Sequence, residues 1–297
     1  MPKPINALFA GLSIIDLQVF VPFYPASNTK TRTDKFEIST GGPATNAAIT
    51  CSFLGAETTL ISPVGKHYFS HSITESISQQ DVQHIDPLKN IEAEPLIASI
   101  VTDESNGERT IFSYHPSNRT INYAPVTDID IDNFHIVLSD GFYPEMAVEL
   151  LKNTGKHKIP SVFDGGSWKT GTENILPYID IAICSNDFHP PGLRSLDEII
   201  CYLQNYGIEK IAITRGGQSI VIAERGVFSE ISVPQVACID SLGAGDVFHG
   251  AFCYFYALGH SFRNALEKAS EIASFSCMHR GTRNWMPHYL NQIKNKS

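Results

Sequence analysis

Short Val/Ile-rich runs alternate along this chain with segments of helical spacing, and that alternation constrains the fold more than any other feature. Strands are predicted at 5–15 (INALFAGLSII), 57–62, 134–139, 160–164, 179–184, 209–214 and 219–224. Helices are predicted at 43–54, near 69–80, at 145–153, 194–206, 244–258 and 261–278, with a last short one after Pro287. Strands apolar on both faces and separated by such helices point to a parallel sheet covered on both sides. Four extended pieces break the pattern: 17–23, 35–40, 96–102 and 109–114, the last two joined at Glu104-Ser105-Asn106-Gly107 as a hairpin. Two insertions, about 17–40 and 95–115, then form a small extra β sheet, a lid. The expectation is one α/β domain over 1–297 rather than two consecutive domains, although a length of 297 residues allows either.

Composition narrows the function. Hydrophobic residues make up 42%, enough for a sizeable core. The net charge is −9, from 22 Lys+Arg against 31 Asp+Glu, and no basic block exceeds two residues. A nucleic-acid or anionic-membrane surface is therefore not expected. The six cysteines form no CxxC pair and sit mostly in apolar stretches, which reads as buried free thiols in a reducing, cytoplasmic setting. No apolar run reaches membrane-spanning length. The apolar stretch from Ala7 to Ile15 is closed by Asp16 without a cleavage site, so it reads as a buried first strand rather than a signal segment.

Three motifs carry chemistry. In Asp240-Ser241-Leu242-Gly243-Ala244-Gly245-Asp246, which follows a segment read as extended (Ile231 to Ile239), small residues stand at the mouth of an apolar helix. Open backbone N–H groups and the helix dipole make that place an anion site, and a carboxylate in the same first turn could serve as a base for phosphoryl transfer. The plainer alternative is a glycine-rich turn with Asp246 as a helix cap. Phe248 stands where a dinucleotide fingerprint needs its third glycine, and no phosphate-loop motif occurs. The second motif is Gly41-Gly42-Pro43-Ala44-Thr45-Asn46, where glycines permit close approach to a ligand and Asn46 offers both donor and acceptor. The third is Gly11 to Asp16, which is read as placing a carboxylate at the end of strand one, at the crevice where α/β sheets bind ligands.

Other residues have bland readings. His67 and His71 read as a polar helix start rather than half a metal site. Asp164 ends a strand at the crevice and reads either as contributing indirectly to the site or, more plainly, as capping a helix; His249 reads either as packed or as supporting Asp246, and Phe248, Phe252 and Phe255 as core.

Together, GGPATN, Asp16 and DSLGAGD with its following Gly250 resemble the PfkB/ribokinase family of sugar and nucleoside kinases, in order and spacing along nearly the whole chain. The resemblance implies a ribokinase-like α/β three-layer sandwich, with a mostly parallel central sheet and a small β-sheet lid. It implies Asp246 as catalytic base and Gly243, Ala244 and Gly245 as the anion hole. Asp16, Gly42 and Asn46 would hold sugar hydroxyls, joined from the lid hairpin by Arg109. Asn186, Thr214, Gly216 and Gly217 would lie on the nucleotide side. The implied partners are a small carbohydrate, ATP with Mg²⁺, and a monovalent cation (K⁺) near the backbone of Asp240 and Leu242. A homodimer through the lid is also implied, and the apolar segment 17–23 reads as an exposed lid edge that a second copy would cover.

Departures from the pattern fall at His189, where the family has a Glu that organises the magnesium shell, at Ser219 or its neighbours in place of a second glycine, and at Gly65-Lys66-His67, where the family has an acidic G-x-D turn. Asp187 could compensate for the lost Glu, and no metal ligand is assigned. The expected activity is ATP-dependent transfer of the γ-phosphoryl group to a hydroxymethyl group of a ribose- or ketohexose-like sugar. The alternatives are a nucleoside kinase, or a silent sugar- or nucleotide-binding regulator.

Overall fold

The computed structural model describes residues 5–105, 108–115 and 124–294. The first part of the chain forms β1 (Asn6–Ala10), β2 (Ile14–Val21), β3 (Phe36–Gly41), α1 (Pro43–Phe53), β4 (Glu57–Ile61), α2 (Ser70–Ser78), β5 (Val82–Ile85), β6 (Ile97–Asp103) and β7 (Arg109–Tyr114). Then come α3 (Ala124–Thr127), β8 (Ile136–Ser139), α4 (Pro144–Leu151), α5 (Thr154–His157), β9 (Ser161–Gly165), α6 (Thr172–Ile175), β10 (Ile181–Ser185) and α7 (Leu196–Gln204). The chain closes with β11 (Lys210–Arg215), β12 (Gln218–Glu224), β13 (Val227–Ile231), α8 (Ala244–Ala257), α9 (Phe262–Ser276) and α10 (Trp285–Lys294).

Nine strands form one sheet in the order β13-β12-β11-β10-β9-β8-β1-β4-β5. It is parallel from β11 to β5, and β12 and β13 add an antiparallel edge. Alternation along β1 shows why both faces must be covered: Ala7 and Phe9 join the core under α1, α8 and α9, while Leu8 and Ala10 join the one under α4 and α7. The result is the expected three-layer sandwich. A second sheet of four strands, β3-β2-β6-β7, has its own small core of Leu12, Ile14, Leu96, Ala98 and Ile100. Among the described residues no helix is long and apolar enough to cross a membrane.

Helix α1 carries no amphipathic stripe: every residue from Ala44 to Cys51 is buried. It lies against the sheet and under α8. The crossing is close because α8 presents Gly250, where a Cβ would stand 2.2 Å from the Ala47 carbonyl oxygen. Only a glycine lets the two backbones approach this far.

The structure corrects several sequence expectations. Strand one ends at Ala10, and the chain then crosses into the small sheet, so Asp16 lies on β2 and not at the end of β1. Segment 17–23 is not an exposed edge, because β2 is paired on both sides; the edges are β3 and β7. Beyond Ile231 the segment expected to be extended has no regular structure up to α8, whereas β5 and β13 were not anticipated. His67 precedes α2 rather than sharing a helix face with His71. Cys201 and Cys238 are exposed, unlike the buried Cys51, Cys184 and Cys253. Of the hairpin turn, Glu104 and Ser105 follow β6, and Asn106 and Gly107 lie outside the described residues.

Two glycines of α8 should respond in opposite ways. Gly250→Ala forces α8 off α1 and should lower unfolding free energy by about 1–3 kcal/mol, the usual range for overpacking. Gly245→Ala, whose Cβ would meet nothing within 4 Å, should melt near the wild type. Denaturant titration of both variants checks the contrast.

Candidate active site

The crevice opens at the carboxyl ends of the parallel strands, where the chain leaves β1 for the small sheet. Asp140, just past β8, organises that exit. Its Oδ2 accepts from the Leu12 N–H at 2.8 Å and the Ala44 N–H at 3.1 Å, and its Oδ1 accepts from the Phe142 N–H at 3.1 Å. One buried carboxylate thus ties the β1–β2 crossing, the first turn of α1 and the loop after β8. Burial pushes it up to about 6, against the hydrogen bonds that favour its charged form. Gly11 is required here, since a Cβ would sit 2.1 Å from the Asp140 carboxylate. Gly42 caps α1 at φ 107°, and a Cβ there would meet the Leu12 carbonyl oxygen at 2.2 Å.

Asp16 comes from the small sheet, buried opposite Ser39 of β3 and beside Gly41. Burial raises it to about 7, and the Arg283 guanidinium works in the other direction. Arg283 itself is held by donating to the Thr40 carbonyl and to Ser76 Oγ, each at 2.7 Å.

At α8 the backbone turns through Gly243 in the left-handed region, at φ 72°. The first intrahelical bond runs from the Val247 N–H to the Gly243 carbonyl, and the Ala244 N–H is taken by the Ser241 carbonyl at 3.2 Å. Of the three small residues only Ala244 has its N–H engaged, and the N–H groups of Gly243, Gly245 and Asp246 have no acceptor among the described residues. Asp246 stands in the first turn, and Gly243, not Asp246, is the cap residue. Its Oδ2 accepts from Asn46 Nδ2 at 2.7 Å, across the α1–α8 crossing. Burial, then the nearby Asp164, raise its carboxyl to about 7, while Asn46 and His249 favour the charge. Asn46 keeps its own Oδ1 buried without a partner among the described residues.

On the other side of the turn lies a cavity of about 530 Å³, lined by Ala244, Gly245, Asn186, Thr214, Gly216 and Gly217 among others. The Asn186 N–H donates to the Thr214 carbonyl at 2.9 Å, and Gly216 turns the chain between β11 and β12 at φ 59°. The structure therefore gathers these residues at one wall. Arg109 is there too: it donates to Ser241 Oγ at 2.6 Å and lines this cavity instead of standing beside Asp16. His189 is exposed, and Asp187 faces the cavity.

Sequence reasoning missed Asp140 and Arg283, whose roles come from long-range contacts that no local motif announces. Of the two readings of Asp164 the helix cap falls away: it lies within β9, and α6 begins only at Thr172, after Gly171.

A sheet-edge crevice, a helix mouth open to an anion and a carboxylate beside it define a phosphotransferase. The chain belongs to the pfkB family of carbohydrate kinases, whose family model matches residues 6–288. It is thus a phosphotransferase with an alcohol group as acceptor. It is similar to the ribokinase of Dictyostelium discoideum, 23% identical over 320 residues that cover 95% of this chain and 97% of that one. The ketohexokinase of Mus musculus is 19% identical, covering 91% and 95%. In fold it is similar to the structure of Arabidopsis thaliana ribokinase complexed with ribose and ATP, at TM-score 0.74 and 18% identity over 98% and 99% of the two chains.

Asp246 has a measurable consequence for stability. A carboxyl raised from 3.8 to about 7 binds its proton more tightly in the fold than in the unfolded chain. Its contribution is full below the unfolded value and is lost as pH rises through the folded one. Asp246→Asn does not titrate. Its melting temperature should therefore be near that of the wild type at pH 4, exceed it increasingly up to about pH 7, and keep that lead above. A gap independent of pH counts against the assigned burial.

Proposed function

We propose that the protein transfers the γ-phosphoryl group of ATP to a hydroxymethyl group of a ribose- or ketohexose-like sugar. One observation carries this reading. Asp246 accepts from Asn46, whose own Oδ1 is buried without a partner among the described residues, and follows directly on Gly245, which lines the cavity behind the 243–245 turn. An acceptor on the Asn46 side and a nucleotide on the cavity side would meet at this carboxylate.

Asp246 takes the proton of the acceptor hydroxyl. The oxygen attacks the γ-phosphorus, the bond to the β-phosphate oxygen breaks, and ADP leaves. The open N–H groups of Gly245 and Asp246, with the helix dipole, hold the charge of the phosphoryl group in transit. Asp16, Gly42 and Asn46 hold the sugar; Asn186, Thr214, Gly216 and Gly217 hold the nucleotide. Arg109, anchored on Ser241, links the small sheet to the turn that carries the base. A base near 7 suits catalysis at neutral pH.

Magnesium binds through few carboxylates plus substrate phosphates. Asp187 offers one carboxylate to the cavity, and among the described residues no group of three or more His, Cys, Asp or Glu is gathered for a metal. That donor set suits Mg²⁺ brought in on the triphosphate, where it neutralises phosphate charge. Both Asp240 oxygens are engaged, with the Leu242 and Gly281 N–H groups at 2.9 Å, so K⁺ in this loop would rest on backbone carbonyls.

The chain then works as one unit over 1–297, with 17–40 and 95–115 as a lid that closes over the sugar and excludes water. The exposed Phe36, Ile38, Ile111 and Phe112 of the small sheet would meet a second copy, giving a cytoplasmic homodimer.

ADP release measured with ATP, Mg²⁺ and a panel of sugars and nucleosides tests the reading. A sugar should be turned over, and Asp246→Asn should lower kcat by about 10²–10⁴-fold while ligands still bind. Wild-type kcat/KM should fall on the acid side of about pH 7. Preference for nucleosides, or turnover of Asp246→Asn within a few-fold of wild type, overturns it.

A further inference from the structure

His249 lies one turn beyond Asp246 on α8, buried, with an acceptor at each ring nitrogen. Nδ1 is 2.7 Å from the Gly245 carbonyl oxygen, and Nε2 is 3.1 Å from the Ile183 carbonyl oxygen of β10. Carbonyl oxygens only accept, so each of these bonds requires a proton on the ring nitrogen. A neutral imidazole has one such proton and would set a lone pair against one of the two carbonyls. Both bonds together require the imidazolium.

A buried cation needs a counter-charge. Asp164 supplies one: its Oδ2 is 3.4 Å from His249 Nδ1, the two side chains are 5% and 6% exposed, and that oxygen has no hydrogen-bond partner among the described residues. Asp164 lies within β9 and Ile183 pairs beside it on β10, so two adjacent strands grip one ring. The ring in turn grips the carbonyl of Gly245, the residue just before the base.

We propose that the His249–Asp164 pair is a positioning device for the base: a doubly protonated imidazole pins the 243–246 turn to the sheet and presents a positive charge behind Asp246. This rests on the reading of Asp246 given above. His249 also lines the cavity behind the turn; on the base it acts as a positioning residue, through the turn and through charge. Around it stand Asp164 on β9, Cys184 on β10, and Cys253 and Asp246 on α8, with Asp16 beyond Asp246. Burial keeps both thiols protonated, so the charges that act on Asp246 are two carboxylates that oppose its ionisation and one imidazolium that favours it. Loss of His249 alone leaves Asp164 uncompensated; loss of both removes the pair as a neutral unit.

Two measurements on the full chain decide it. Long-range ¹H–¹⁵N spectra of the imidazoles at pH 7.5, without ligands, should show His249 with both ring nitrogens protonated, and Asp164→Asn should abolish that state. In the pH profile of kcat/KM for the best acceptor, His249→Gln should move the acid limb upward by about half a unit or more. The double variant Asp164→Asn/His249→Gln should bring it back toward wild type. A packing role alone would lower the plateau of the single variant and leave the limb in place. A singly protonated His249, or an unmoved limb, overturns the proposal. If no acceptor is phosphorylated by the wild type, the kinase reading fails by itself, and the imidazole spectra still decide the charge on His249.

Discussion

The crossing of α1 and α8 at Gly250 is the contact on which the rest of the site depends. With any other residue the Ala47 carbonyl would be struck, and the two helices would have to part. Their closeness lets Asn46 and Asp246, 200 positions apart, share a hydrogen bond of 2.7 Å. It also explains why α1 is buried all round and made of small residues: Ala44, Ala47 and Ala48 leave room for a helix above and a sheet below. Packing and chemistry are one problem here, because the apolar faces that hold α8 down are continuous with the turn that carries the base.

A second knot lies where the main sheet hands the chain to the small one. Asp140 collects N–H groups from three segments, two of which are joined again where Thr45 donates to the Leu12 carbonyl. A carboxylate is suited to this because it accepts several bonds at once and donates none. Gly11 and Gly42 are small for the same reason, since the first would strike that carboxylate and the second the Leu12 carbonyl. The two glycines thus describe the geometry around Asp140 better than they describe a ligand.

How much of this was legible in the chain follows from the range of each interaction. The alternation of strands and helices is local, and it was read correctly for the body of the fold. The Gly243 to Asp246 turn could be read because its chemistry is packed into consecutive residues. Asp16 was placed at the wrong strand because INALFAGLSII is apolar throughout. Nothing in the run itself says that it breaks at Gly11, and the break is enforced by Asp140, 129 residues away. The same holds for segment 17–23: whether an apolar strand is an edge or a centre depends on β3 and β6, which pair with it from elsewhere. Arg109 was read from its hairpin as a sugar contact, and its bond to Ser241 depends on how the small sheet folds over the helix mouth. Asp164 looked like a cap because a glycine pair follows it, while its partner is a histidine on a helix 85 residues later.

Charge supplies the last step. Asp16, Asp140, Asp164 and Asp246 lie near enough to act on one another, and they are part of the chain's net charge of −9. Three of them are raised to between about 6 and 7, so the site holds its negative charge reluctantly near neutral pH. Full neutralisation by nearby lysines would make every carboxylate a weak base. The fold instead sets a few cations at fixed places: Arg283 beside Asp16, Lys169 acting on Asp140, and His249 against Asp164. The carboxylates of Asp140 and Asp164 are occupied with structure, and Asp16 is shared with Arg283. Asp246 is left with an amide on one side, an open helix mouth on the other, and an affinity for protons matched to neutral water. A carboxylate in that position can take a proton from a hydroxyl and return it to solvent, because neither charge state is locked by its surroundings.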